Sequence, residues 1–320
     1  MPVGFLYFTI FKKRLDFFLS CKHNSVTMKI KTALLFIVCG VISLTNLHAQ
    51  KTITGFQAPE SAIRSGDKLF VSNIGGEQPN PLALDGNGFI SELSADGNII
   101  QQKFNKAVLN GPKGLAIIGN TLYTADVNRV VGLDINSGEQ VFELNFPEAK
   151  MLNDLCSIGD KYLAVSETIN GKVYLIDVAN KSYNFLGSIN GANGLTYDAK
   201  TKQLFACGMG MNMDGTGKLY SQHLDSKDTT FNELANSPTG IFDGLEFTDE
   251  DHLLVTDWHG ADSTKGRFVI YNLKDHTSKT YSIDAGPADV GYDKSSHTFY
   301  LPQMMKNDLL IENLNKLKAQ

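Results

Sequence analysis

Cysteine, tryptophan and positive charge are all scarce in this chain of 320 residues, which holds four Cys, one Trp and 29 Lys plus Arg against 34 Asp plus Glu. Two of the cysteines fall within the first 49 residues, leaving Cys156 and Cys207. Each of these sits in an apolar predicted strand, so buried thiols are expected and not a disulfide framework. Neither has the paired spacing of a zinc site. No Ser or Cys stands in a nucleophile elbow that His259 could serve, so a covalent triad has no support. Linkers, low-complexity stretches and amphipathic helices are also missing. One long apolar run occurs, over 33–44, and it is too short to cross a bilayer with ease.

That run follows Met28-Lys29-Ile30-Lys31 and precedes Leu47-His48-Ala49. A basic start, an apolar stretch and a small residue before a cut describe a secretory leader. The expectation is an initiator at Met28, a leader over 1–49 and export to the periplasm or beyond; an uncleaved anchor is the alternative. Removing 1–49 leaves 23 basic and 33 acidic residues over 50–320, a net charge of −10. Such a surface argues against nucleic acid and anionic membrane as partners and is compatible with cation binding. A monomer is expected.

A motif recurs six times. Openings read Glu60-Ser61-Ala62, Lys113-Gly114-Leu115, Asn153-Asp154-Leu155, Asn193-Gly194-Leu195, Asp243-Gly244-Leu245 and Ala288-Asp289-Val290, spaced by 53, 40, 40, 50 and 45 residues. After each comes a strand with a polar or small end: LFVSN to Asn73, LYTAD to Asp126, LAVSE to Glu167, LFACG to Gly208, LLVTD to Asp257 and FYLPQ to Gln303. A third alternating segment follows at 88–93, 128–135, 171–178, 217–224, 266–273 and 307–314. Four short strands per unit of about 45 residues is the pattern of a propeller blade. The predicted fold is all-β, a six-bladed β-propeller over 50–320. The last unit lacks a fourth strand, so 51–56 should pair there and close the ring, removing exposed edges.

In such a ring the first strand of each blade lines the channel. The openings, the ends of the second strands and the long loops 74–87, 209–216 and 259–265 then share one face, where a pocket is expected. Read alone, Asn193-Gly194 and Asp243-Gly244 are turn dipeptides. Read in register with Glu60 and Asn153, they give two carboxylates and two amides converging on the axis. That oxygen-only set suits Ca²⁺ best, with Mn²⁺ or Mg²⁺ as alternatives. Zinc would call for His or Cys. Asn73, Asp126, Glu167, Asp257 and Gln303 form a second polar ring suited to substrate, with Trp258 as an apolar wall. Met209, Met211 and Met213 suggest an adaptable lid.

The registers Pro59-Glu60-Ser61, Leu152-Asn153-Asp154, Ala192-Asn193-Gly194-Leu195 and Phe242-Asp243-Gly244-Leu245 resemble the metal-binding set of the gluconolactonase/regucalcin (senescence marker protein) family. The paraoxonase-type lactonases are similar more distantly. The resemblance implies a six-bladed propeller holding a divalent ion and hydrolysing lactones or esters, with Glu60, Asn153, Asn193 and Asp243 as metal ligands. It also suggests Asp243 as proton acceptor. Asp154 is a reserve base and Lys113 a stabiliser of the oxyanion. Two departures stand out. Met151 occupies a substrate-contacting position where the sugar lactonases carry Arg, and Lys113 stands where the paraoxonase type places His. A generic lactone or ester therefore fits better than a polyhydroxylated sugar lactone. The competing expectation is a non-catalytic propeller that binds a small ligand or protein.

Overall fold

A computed structural model describes residues 51–226, 228–260, 265–283 and 285–317. The expected leader lies outside the described residues. The described chain forms six four-stranded antiparallel sheets, five of them with strands in sequence order. The inner strands are Pro59–Ser65, Pro112–Ile118, Leu152–Ile158, Ala192–Asp198, Phe242–Phe247 and Gly291–Asp293. Each touches the inner strand of the blade before it and the blade after it, so the six close a circle.

The ring is fastened by its two ends. In the sixth sheet Lys51–Thr54 is the outermost strand, paired antiparallel with Asp308–Asn313 so that Lys51 lies opposite Ile311 and Thr54 opposite Asp308. Alternation places Ile53 inward between exposed Thr52 and Thr54, and Ile53 packs with Phe56, Leu69, Leu93, Tyr300 and Leu309. The core as a whole lies between neighbouring blades. Phe70 and Ile90 of the first blade, for example, share a cluster with Leu115, Leu122 and Val131 of the second.

The repeated openings are not turns, contrary to the expectation from their Asn-Gly and Asp-Gly dipeptides. Five of them lie inside the inner strands, and each of these is a β-bulge; Ala288-Asp289-Val290 precedes the strand Gly291–Asp293. Two residues on the inner strand face one on its neighbour between Pro59 and Ala62, Pro112 and Leu115, Leu152 and Leu155, Ala192 and Leu195, and Phe242 and Leu245. A bulge leaves a backbone N–H without a ladder partner and re-aims the side chain beside it. The orphaned N–H is caught locally. Ser61, Asp154 and Gly244 donate to the hydroxyls of Ser72, Ser166 and Thr256 at 2.9, 2.9 and 2.6 Å. Gly114, Gly194 and Gly244 are required by crowding between blades. A Cβ at Gly194 would stand 2.5 Å from the Asp243 carbonyl oxygen, and one at Gly114 would stand 2.5 Å from the Asp154 Cα.

Candidate functional site at the channel mouth

The first residues of the five bulges, Glu60, Lys113, Asn153, Asn193 and Asp243, and the equivalent Ala288 of the sixth blade are all buried, none more than 4 % exposed. These positions are up to 228 residues apart, yet their charges act on one another. Burial lifts the Glu60 carboxyl to about 7, with Lys113 pulling it down and Asp289 pushing it further up. Asp243 is held well above the usual carboxylate range by burial and then by Glu60 and Asp289, with Asn193 beside it acting the other way. Among the described residues, three oxygens of this ring have no hydrogen-bond partner: Glu60 Oε2, Asn193 Oδ1 and Asp243 Oδ1. Such orphans are uncommon in native proteins and call for a ligand or ion. Asn153 turns its Nδ2 to Thr168 Oγ1 at 3.0 Å, which leaves its carbonyl end free of that contact.

These atoms fit a hard cation. They are oxygens from two carboxylates and an amide, and the second amide has its nitrogen already engaged. Among the described residues no cluster of three or more His, Cys, Asp or Glu is gathered for a metal. The coordination on offer is therefore mixed carboxylate and amide oxygen. Lys113 is the complication. It is fully buried and does not point outward into solvent. Its Nζ donates to the carbonyls of Pro81 at 3.0 Å and Gly111 at 2.9 Å. Burial pushes the amine below its ordinary pKa, while Glu60, Asp126 and Asp243 support the charged form. The loop 74–87, which contains Pro81, is thereby tied to the mouth.

The ends of the second strands are engaged elsewhere. Asn73 Oδ1 accepts from the Gln57 N–H, and Asp126 Oδ1 accepts from Asn110 and Gly111. Glu167 takes the N–H groups of Lys150, Met151 and Asn170, and Asp257 takes those of Ile241 and His259. Arg129 and Arg267 complete Asp126 and Asp257. The common task of these four side chains is to hold the segment that enters the inner strand. Met151 is buried, with its N–H on Glu167 and its carbonyl on Thr168. Trp258 is half-buried and its indole N–H is unpartnered.

No family model matches the sequence, and no curated protein matches it. Solved structures do match. A crystal structure of a nidogen/laminin complex aligns with a TM-score of 0.57 at 12 % identity, over 80 % of this chain and 89 % of that one. The β-propeller domain of Myceliophteria thermophila Cps50 (Swd1) aligns with a TM-score of 0.55 at 12 % identity, over 82 % and 99 %. The chain is a six-bladed β-propeller. At this identity the likeness concerns the fold alone.

Open space also lies on the face away from the long loops. A cavity of 470 Å³ enters the channel from the opposite face, past Arg64, Asp293 and Lys294, and reaches Ser61, Asp154, Glu246 and Asp289. Asp154 belongs to this second tier. Its Oδ1 accepts from Leu155 N at 2.7 Å and its Oδ2 from Leu195 N at 2.6 Å, across the joint between blades 3 and 4. Asp289 does the same between blades 6 and 1, accepting from Val290 N and Ser61 Oγ. The sequence reading passed over the residues beneath the ring: Ser72, Ser166, Thr256, Thr168 and Asp289. A signal for three of them was present, since VSN, VSE and VTD each carry a hydroxyl one residue before the strand end. Blade 4 has Cys207 there, and its thiol donates to the Asp243 carbonyl. Met211 and Met213, but not Met209, border a separate cavity of 170 Å³ with 168–171, on the face of the long loops.

Proposed function

We propose that the protein is an exported, metal-dependent hydrolase of small lactones or esters, with Ca²⁺ held by Glu60, Asn153, Asn193 and Asp243. The observation that carries this reading is the set of buried, unpartnered oxygens on Glu60, Asn193 and Asp243. When bound, the ion supplies a Lewis acid that polarises a carbonyl and steadies the developing oxyanion. Asp243 is the group that would take the proton an attacking water gives up, the role the resemblance suggests for it. Lys113 contributes a fixed positive field to the oxyanion from its place on the Pro81 and Gly111 carbonyls. Asp154 has no part in the step, because both of its oxygens are engaged by backbone N–H groups below the mouth. Met151 gives an apolar neighbour where a sugar would call for a hydrogen-bonding side chain.

The test is elemental analysis of the purified protein together with a Ca²⁺ titration of its melting temperature. Asp243→Ala is expected to abolish both the cation-dependent rise in Tm and turnover. Retention of Ca²⁺ binding by that variant removes the site. A second reading, a non-catalytic binding propeller, draws on the engagement of Asn73, Asp126, Glu167 and Asp257 with the backbone, which leaves few free groups for chemistry. A panel of lactones and aryl esters assayed with Ca²⁺, Mn²⁺ and EDTA separates the two, since only the hydrolase gives chelator-sensitive turnover.

A further inference from the structure

Asn193 stands beside Asp243, and among the described residues neither atom of its amide has a well-formed hydrogen bond. Its backbone is held from the adjacent blade. Thr168 Oγ1 donates to the Ala192 carbonyl at 2.8 Å, one residue before Asn193. The Asp154 carboxylate accepts from Leu195 N at 2.6 Å, two residues after it. Thr168 Oγ1 also accepts from Asn153 Nδ2 at 3.0 Å. One hydroxyl therefore touches the first candidate amide ligand directly and the backbone of the residue before the second, so that it bears on Asn193 through its strand.

The register makes the point sharper. The residue after the second-strand end is Ile74, Val127, Met209, Trp258 and Met304 in the other blades. Thr168 is the single hydroxyl in that set, it is 4 % exposed, and it falls in the blade whose neighbour contributes Asn193. An amide that donates through its nitrogen presents its oxygen at the other end. The contact with Thr168 thus sets which end of Asn153 is available to a cation.

We infer that Thr168 is a positioning residue that sets Asn153 and Asn193 as a pair of oxygen donors. The inference rests on the proposed function for its cation, but its geometry can be tested without one. Partners that orient metal ligands typically govern affinity by about 10–100-fold.

The experiment compares wild type with Thr168→Val and Thr168→Ser. Crystal structures without cation are combined with calorimetric Ca²⁺ titration of EDTA-stripped protein and with Tm in EDTA. Thr168→Val is expected to release the Asn153 amide, shift Asn193 and weaken Ca²⁺ binding about 10–100-fold. Thr168→Ser restores both, because the hydroxyl alone carries the contacts. A Thr168→Val structure with Asn153 and Asn193 unmoved overturns the inference. So does a Thr168→Ser protein as weak as Thr168→Val, or a loss of Tm in EDTA with Ca²⁺ affinity intact. Wild type that takes up no Ca²⁺, with both asparagines displaced in Thr168→Val, removes the proposed function and upholds the positioning role. Should Thr168→Val fail to fold, side-chain amide exchange in wild type and Thr168→Ser reads the same contact. Slow exchange at Asn153 Nδ2 in both supports it, and fast exchange overturns it.

Discussion

Single hydroxyls below the channel mouth do more than their size suggests. Thr256 Oγ1 accepts from Gly244 N and donates to the Ala288 carbonyl, both at 2.6 Å, and so joins the fifth blade to the sixth beneath Asp243. Thr256→Val keeps the shape and leaves two buried backbone groups unpaired. The expected cost is about 2–3 kcal/mol, on the order of 5 °C or more in Tm for a chain of this size, readable by thermal denaturation. Thr256→Ser should recover most of it. These roles were only partly legible in the sequence. The repeat placed Glu60, Asn153, Asn193 and Asp243 in one register, and all four lie buried on inner strands. What the register could not convey was how many hydrogen bonds each polar side chain already makes. Asp126, Glu167 and Asp257 look like Asp243 as letters, but they sit on backbone N–H groups while Asp243 Oδ1 does not.

At the scale of strands, the bulge explains both the success and the error of the sequence reading. Alternation and period predicted the sheets and the closing strand, since these follow from which faces must be buried. The bulge adds one residue to the inner strand, and this places two consecutive side chains where alternation allows one. The second tier of Ser61, Asp154 and Asp289 was hidden by that extra residue. Gly194 is the strictest position: Gly194→Ala would push its Cβ to 2.5 Å from Asp243 O and 2.7 Å from Leu245 N. Backbone atoms cannot step aside as a flexible side chain can, so the variant is expected to lose several degrees of Tm and to accumulate in the insoluble fraction. A soluble Gly194→Ala protein with wild-type Tm would show that the inner strands can part.

Across the molecule, acidity is concentrated along the axis. Burial and the charge of Asp289 lift Glu246 to about 7, with Lys294 opposing, and burial lifts Asp289 to about 6. A carboxyl whose folded pKa is raised contributes stability that is fully present below its unfolded pKa, near 4.5 for Glu, and is lost as pH rises through its folded value. Stability in EDTA should therefore decline between about pH 4 and pH 7. Glu246→Gln should leave Tm at pH 4 unchanged and raise it at pH 8. For a group still partly in contact with solvent the gain is on the order of 1 kcal/mol, or about 2–4 °C. An unchanged Tm at pH 8 would mean that the cavity hydrates this carboxylate as well as bulk water does. Removing 51–56 opens the sixth sheet along Asp308–Asn313, and the shortened protein should precipitate or melt markedly lower.

The seam between Lys51–Thr54 and Asp308–Asn313 also imposes an order of events during synthesis. The ribosome makes one half of this clasp more than 250 residues before the other, so a nascent propeller stays an open arc until almost its whole length has emerged. An mRNA cut short even slightly upstream of codon 308 would yield five finished blades with nothing to latch them, a product suited to chaperones and proteases and unable to complete its circle.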